Sequence, residues 1–309
     1  MRPLKKLLIL LPVHEDRDCL RRLLCDIAAL KLPATKLLII DDGSVYAPPD
    51  EVDIIDAGLA GKIIRLRHNA GHQMAIAVGL MYAAQHYVDR AVLVMDADGE
   101  DPSDAIPELI RRYESNTVDV VAATRARRHE NRSFRLCYRL YMLLFTLLTG
   151  RSMSFGNFML LSANAVKWLS NTPSLAVHFP ATVLASGLVF SLIPVNRGRR
   201  YTGASRMSFA SLVGHGIRSM KIFAGAVFVR LASCVSAIAI VWLALGTLAT
   251  VLERGGVVVP RWVYSAGEVF FVGSLCSATV AIATMVLMCF IGFGSPKAML
   301  LARKSAGVL

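Results

Sequence analysis

The stretch "VLVMDADGED", residues 92–101, sets Asp96, Asp98, Glu100 and Asp101 at the end of an apolar run. Carboxylates this close repel one another unless a cation sits among them, and oxygen donors of this type suit a hard divalent ion. The apolar run reads as a buried strand, and the carboxyl end of a strand in an open α/β sheet is where ligands bind. Polar groups follow two other apolar runs in the same way: Pro12, His14 and Glu15 after "KLLILLPV", and "DDGS" (Asp41, Asp42, Gly43, Ser44) after "KLLIID". Neither a GxGxxG dinucleotide fingerprint nor a GxxxxGK[ST] phosphate loop is present. A dehydrogenase or an ATPase on such a sheet therefore loses its main support.

The elements that would position these residues alternate along the front of the chain. Strand-like runs lie at 6–13, 36–41, 62–67, 91–96 and 118–124, with helical stretches at 16–30, 71–86 and 102–113. Short, fully apolar strands with helical crossovers predict an α/β, Rossmann-like domain whose mostly parallel sheet is covered on both faces. Asn69 is read as the N-cap of the helix near Gly71, Asp101 as the cap of the next one, and Pro102 as part of its first turn.

The composition is too apolar for such a domain alone. Of 309 residues 55% are hydrophobic and only 18% charged, and the mean hydropathy is +0.52. Residues 231–252 hold 22 positions without a charge and residues 269–293 hold 25; about 20 residues at roughly 1.5 Å rise cross a hydrocarbon core of roughly 30 Å. The chain is thus read as a catalytic domain at 1–205, a basic juxtamembrane amphipathic segment at 206–230, a transmembrane hairpin at 231–295 and a tail at 296–309. Between Asn196 and Arg230 there are seven Lys or Arg and no Asp or Glu, and Lys297, Arg303 and Lys304 follow the second span. This bias places both ends of the hairpin, and the domain, on the cytoplasmic side of a cell inner membrane as a multi-pass protein.

The net charge of +12 suits anionic lipid headgroups. Nucleic acid is excluded as a partner, because the basic residues cluster beside the spans and no nucleic-acid motif occurs. The basic, apolar start of the chain ends in Pro and charges without a small-x-small cleavage pattern, so it reads as a strand and not a signal peptide. The six cysteines have no metal-ligand spacing and are read as structural thiols in a reducing compartment.

Taken in order, "LPVHED", "IIDDGS", "RHNAGHQMAIAVGL" and "VMDADGEDPSD" resemble a family 2 glycosyltransferase. Farther on, "ATRARR", "FGNFML" and "RRYTGASRMSF", followed by two spans, are similar to its polyprenyl-phosphate sugar transferases, the dolichol-phosphate mannose and undecaprenyl-phosphate glucose group. The resemblance implies that Pro12, Glu15, Asp41, Asp42 and Asp96 bind the nucleotide of a nucleotide-diphosphate sugar. It implies that Asp96 and Asp98 form the DxD pair, with Asp98 on a Mg²⁺ or Mn²⁺ ion. Glu100 stands where relatives often carry Gln and is assigned to the metal as well. Arg125, after the fifth strand, joins the catalytic group. Arg132, Arg135, Arg200, Ser205 and Arg206 are assigned to an acceptor phosphate, Arg206 replacing the usual Lys. Members of the family include monomers and assemblies, so a homo-oligomer is compatible with the resemblance.

The physics of the substrates agrees. A nucleotide diphosphate brings about two negative charges to an acidic turn, and a divalent ion must bridge them. At "FGNF" many relatives carry an Asp proposed as a base, whereas this chain has Asn157. A sugar hydroxyl needs a general base, but a phosphate monoester, with a second pKa near 6, attacks already ionised. Asn157 therefore favours a polyprenyl phosphate lipid, such as undecaprenyl phosphate, as acceptor, and it is grouped with the catalytic residues. The chemistry expected is inverting transfer of one sugar from a UDP- or GDP-sugar. The alternatives are a glycan or other lipid hydroxyl acceptor and a noncatalytic sugar-nucleotide-binding scaffold. A polymer synthase would need more spans and a QxxRW motif. His68 and His72 flank the Gly71 turn near the expected diphosphate and are read as helix-start residues, with ligand contact as the alternative; His178 and His215 are read as structural or surface positions, and Arg230 as a snorkelling side chain.

Overall fold

A computed structural model describes residues 4–125, 132–202 and 209–290, with side chains at 125, 132–137, 209–213, 284–285 and 287–290 outside the described set. One unit contains a seven-stranded sheet in the order β3-β2-β1-β4-β6-β5-β7. The strands are β1 (Leu7–Val13), β2 (Thr35–Asp41), β3 (Gly61–Arg65), β4 (Ala91–Val94), β5 (Val120–Arg125), β6 (Phe155–Leu161) and β7 (Phe190–Val195). All pairs are parallel except those of β6, which runs antiparallel to β4 and β5. Every residue of β1 is buried, as expected of a strand covered on both faces.

The covering helices follow the apolar stripes of the sequence. In α1 (Arg17–Ala29) Cys19, Leu20, Leu23, Leu24 and Ile27 are buried; in α4 (Ile106–Ser115) Ile106, Leu109 and Tyr113 are, at helical spacing in each case. The short helix α2 (Glu51–Asp56) is tied to α1 through buried Asp53, which accepts from Arg17 Nε at 2.8 Å and Arg21 Nε at 2.6 Å. Helix α3 (His72–His86) is buried almost all round. It comes close enough to the sheet that a Cβ on Gly79 would stand 2.3 Å from Leu10 Cδ1 and 3.0 Å from Ile40 Cγ1.

Several sequence expectations shift. Strands β6 and β7 were not expected. Strand β4 ends at Val94, two residues early, so Asp96 lies in the turn beyond it. The N-cap of α3 is Gly71 at φ 94°, and Asn69 sits outside the helix, its side chain accepting from Gly71 N–H at 3.0 Å. Asp101 caps nothing: the 3₁₀ turn Ser103–Ala105 has no side-chain cap, and the Asp101 carboxylate instead accepts from Asp96 N–H at 2.9 Å. The chain continues through α5 (Arg132–Thr149), α6 (Ala163–Ser170), α7 (Phe179–Ala185) and α8 (Phe209–Lys221).

A second unit comprises residues 138–152 and 223–292. Its helices α9 (Ala224–Arg254) and α10 (Arg261–Phe290) pack side by side, with the Trp242 and Phe271 rings 5.1 Å apart. Both are long and apolar enough to cross a membrane, Ala224–Arg254 at mean hydropathy 2.2 and Arg261–Ala283 at 1.6. Helix α10 starts directly after Pro260, so it begins eight residues before the expected second span at 269 and takes in Trp262, Tyr264 and Glu268. One charged residue does not stop a helix whose backbone bonds are all internal. Within the same unit Leu140, Leu143, Leu144 and Leu147 of α5 are more than half exposed, while Phe145 is buried edge-on against Phe223. Arg230 donates to Leu147 O at 3.4 Å and crowds Gly150, so it caps the end of α5, where the sequence suggested a snorkelling side chain. Residues 291–293 of the expected second span and the tail lie outside the described residues.

The tight α3–sheet contact yields a stability prediction. Gly79→Ala should destabilise the protein by about 1–3 kcal/mol, since Leu10 and Ile40 must shift in a filled core. A denaturant titration that finds the variant as stable as wild type would contradict this packing.

Candidate functional site

Three carboxylates organise the loops at the ends of β1 and β2. Glu15 stands in the left-handed region, φ 51°, and its carboxylate accepts from Val45 N–H at 2.5 Å, Tyr46 N–H at 3.0 Å and Ala47 N–H at 2.7 Å. These bonds, that from Val45 foremost, hold its pKa below the usual carboxylate value. Asp41, fully buried, accepts from Arg65 Nε at 2.7 Å and Ser44 N–H at 2.9 Å. Asp42 accepts from Ala70 N–H at 2.7 Å and Gly71 N–H at 2.9 Å. Burial raises its pKa, and those two N–H groups oppose the rise. Pro12 lies buried in β1, paired with Ile40.

Beyond β4 the acidic turn folds on itself. Asp98 Oδ1 accepts from Glu100 N–H at 2.9 Å, and Gly99 at φ 88° makes the reversal. The segment that follows β7 lies across this turn: Gly198 N–H donates to Glu100 O at 3.0 Å and Tyr201 N–H to Asp98 O at 2.9 Å. It carries two cations to the carboxylates. Arg197 pairs with Glu100, and Arg200 reaches Asp98 at 3.4 Å and Asp16 at 3.0 Å. Burial, and then the like charge of Asp96, raise the Asp98 pKa, with Arg200 and Arg197 opposing. Burial lowers the Arg197 pKa, and Asp98 and Asp96 counter it.

The donor set is all oxygen, which fits Mg²⁺ or Mn²⁺. Among the described residues no three metal-ligating side chains are gathered around one point. An ion here would need further oxygens from a ligand, as a diphosphate provides.

Asn157, on β6, enters the same site through a chain of amides. Phe179 N–H can only donate, so the Gln73 atom at 2.6 Å is its oxygen. Gln73 Nε2 therefore donates to Asn157 Oδ1 at 3.2 Å, and Asn157 Nδ2 is turned to His72 Nε2 at 2.9 Å. The same ring nitrogen lies 3.2 Å from Asp96 Oδ1. It can serve one partner at a time: without a proton on Nε2 its lone pair accepts from Asn157, and with one its N–H goes to Asp96. Burial disfavours the charged form, but Asp96, with Asp101 and Asp42, opposes it and the His72 pKa is raised. His178 is buried, stacks on His215 at 4.2 Å and accepts from Ala181 N–H at 3.1 Å as the N-cap of α7. Burial, helped by His215, pushes its pKa down to about 3.

The fold thus brings Asp96, Asp98, Glu100, Arg200 and Asn157 to one edge of the sheet, with Pro12, Glu15, Asp41 and Asp42 along the neighbouring strand ends. Arg125 ends β5 and Arg132 and Arg135 begin α5, but their side chains, like Ser205 and Arg206 altogether, lie outside the described residues. Sequence reasoning missed Arg197 and Gln73, and read His72 first as a helix-start residue with ligand contact as the alternative. Membership of the basic run at 197–200 was the one signal for Arg197, and the place of His72 beside the Gly71 turn was the signal for the histidine; Gln73 carried none.

Comparison with known proteins points the same way. The glycosyl transferase family 2 model matches residues 8–166. An uncharacterised glycosyltransferase of Synechocystis sp. is 22% identical over 279 residues, 87% of this chain and 86% of that protein. The undecaprenyl-phosphate 4-deoxy-4-formamido-L-arabinose transferase of Klebsiella pneumoniae is 25% identical over 221 residues, 68% of this chain and 65%, just under two thirds, of that one. Among solved structures, glucosyl-3-phosphoglycerate synthase from Mycobacterium tuberculosis with Mn²⁺ and UDP-glucose aligns at a TM-score of 0.49 and 15% identity, covering 73% of this chain and 79% of that one. With the family model spanning both acidic strand ends and Asn157, the chain belongs to glycosyl transferase family 2.

Proposed function

We propose that this glycosyltransferase moves one sugar from a UDP- or GDP-sugar to a polyprenyl phosphate, with inversion, at the cytoplasmic face of a cell inner membrane. The observation that carries the reading is the acidic turn at 96–101 with Arg200 laid across it: carboxylate oxygens of a kind suited to a divalent ion lie beside a guanidinium of a kind suited to a phosphate. The undecaprenyl-phosphate relative supports the lipid acceptor, and the two long apolar helices support the membrane.

In this reading residues 1–205 form the catalytic domain. The strand ends at Pro12, Glu15, Asp41, Asp42 and Asp96 hold the nucleotide. Asp98, with Glu100 beside it, holds a Mg²⁺ or Mn²⁺ ion, which when bound neutralises the departing diphosphate. Arg132, Arg135, Arg200, Ser205 and Arg206 bind the acceptor phosphate, for which arginine forks are suited. A lipid phosphate oxygen attacks the anomeric carbon, and the bond from that carbon to the diphosphate oxygen breaks with its electron pair leaving on the nucleotide. No proton has to be removed, so the Asn157 amide, held by Gln73 and His72, lines the site without acting as a base. Arg125, at the end of β5, is assigned to this same catalytic group.

A hydroxyl acceptor is the second reading, and one observation favours it. His72 brings an imidazole to Asn157 and Asp96, a base that a hydroxyl would require.

Purified protein in lipid, given undecaprenyl phosphate, a divalent ion and labelled UDP- and GDP-sugars, should place label in the organic phase. Asp98→Asn or EDTA should lower the rate by about 10²-fold or more. Label that appears only on soluble or hydroxyl-bearing acceptors would transfer support to the second reading. For the topology, Val258→Cys, in the exposed connector between α9 and α10, should react with an impermeant thiol reagent added outside intact cells. Labelling only after lysis would reverse the orientation.

A further inference from the structure

Residues 197–202 are fixed against the acidic turn by more than their two backbone bonds. A Cβ on Gly198 would stand 2.2 Å from Gly99 O, and one on Gly99 would meet the Tyr201 ring at 2.8 Å, so main chain lies on main chain. Tyr201 is held in turn: its hydroxyl donates to Asp26 at 2.5 Å, and the Arg22 guanidinium lies 4.6 Å over its ring. The backbone is anchored, and from it the long side chains of Arg197 and Arg200 reach the carboxylates, Arg200 also bonding Asp16 and Thr202 O.

We infer that Arg197 and Arg200 stand in for the divalent ion at Glu100 and Asp98 while no nucleotide is bound, and that when ion and nucleotide enter together Arg197 leaves for the diphosphate oxygens and Arg200 is released to the acceptor phosphate. The inference rests on the proposed function and adds Arg197 to its donor-binding residues. Charge counting motivates it. Asp96, Asp98, Glu100 and Asp101 bring negative charge to a largely enclosed turn, and two guanidiniums offset part of it, Arg200 being shared with Asp16. An ion added with both arginines still in place would find the turn already partly neutralised and would compete with them for the same oxygens. A diphosphate supplies about two negative charges, which offset those of the ion and give the released Arg197 a new anion.

Three consequences differ in sign from those of a purely structural ion pair. In the full chain reconstituted in lipid, Mn²⁺ binding is read by electron paramagnetic resonance, alone and with UDP or GDP. Nucleotide binding is read by calorimetry. Arg197→Ala should tighten Mn²⁺ binding in the absence of nucleotide by roughly threefold or more, because a competing charge is gone. It should weaken nucleotide binding in the presence of Mn²⁺ by about tenfold, the worth of one charge-assisted bond. Glu100→Gln should weaken Mn²⁺ binding alone. Arg197→Gln, with its melting temperature measured alongside, repeats the first test in a side chain of similar length. If Arg197→Ala and Arg197→Gln leave Mn²⁺ and nucleotide binding unchanged, or weaken Mn²⁺ alone, the inference is wrong while the proposed function stands. A wild-type protein that binds neither Mn²⁺ nor either nucleotide overturns both.

Discussion

Carboxylates gathered at one edge of a sheet must each find a donor or a cation, and the loops of this protein are arranged by that requirement. A buried carboxylate left alone is far more costly than one loop ordered around it. Glu15 gathers the N–H groups of 45–47, Asp41 takes Ser44 and Arg65, and Asp42 takes the backbone at 70–71. The turn at 96–101 answers Asp98 and Asp101 with one N–H group each and draws arginines from a segment a hundred residues away in sequence. The floor of the site thus has its charges answered by backbone, while the acidic turn relies in large part on side chains.

The reversed strand β6 ties a second kind of chemistry to this edge. Lying between β4 and β5, it delivers Asn157 from the opposite direction to the parallel strands, and the Phe179 N–H fixes the orientation of every amide between itself and His72. A single backbone donor thus decides which face of an amide the site sees. An aspartate at this position would accept from both neighbours and favour a charged imidazole; the amide offers His72 a donor and lets Asp96 compete for the ring. The polarity of the site is set by its neutral residues as much as by its charged ones.

Much of this was legible in the sequence. Strands β1, β2 and β4 are short, fully apolar runs with carboxylates just beyond them, and such a run fits a buried strand better than any helix or loop. Strand β6 was not legible, because "FGNFMLL" mixes Gly and Asn with apolar residues. Strand β7 carries Pro194 and pairs at an edge, where burial no longer enforces a pattern. The pairs Arg197–Glu100 and Gln73–Asn157 join residues far apart in the chain. Local spacing carries no trace of such contacts, since tertiary packing alone decides them. The helix start near Gly71 was read correctly; the caps assigned to Asn69 and Asp101 were not, because those side chains accept from Gly71 N–H and Asp96 N–H within the loops.

The two outer strands of the sheet have a bearing on how densely this protein can be packed. Strand β7 holds Pro194, which has no N–H to offer a newcomer, and β3 is a five-residue strand with Lys62 and Arg65 along it. Short, charged or proline-bearing edges resist adding a strand from another molecule. Held to a bilayer, as in the proposed function, such a domain would meet its copies at high local concentration in two dimensions. Edges of this kind would let many copies share a membrane surface without joining sheet to sheet.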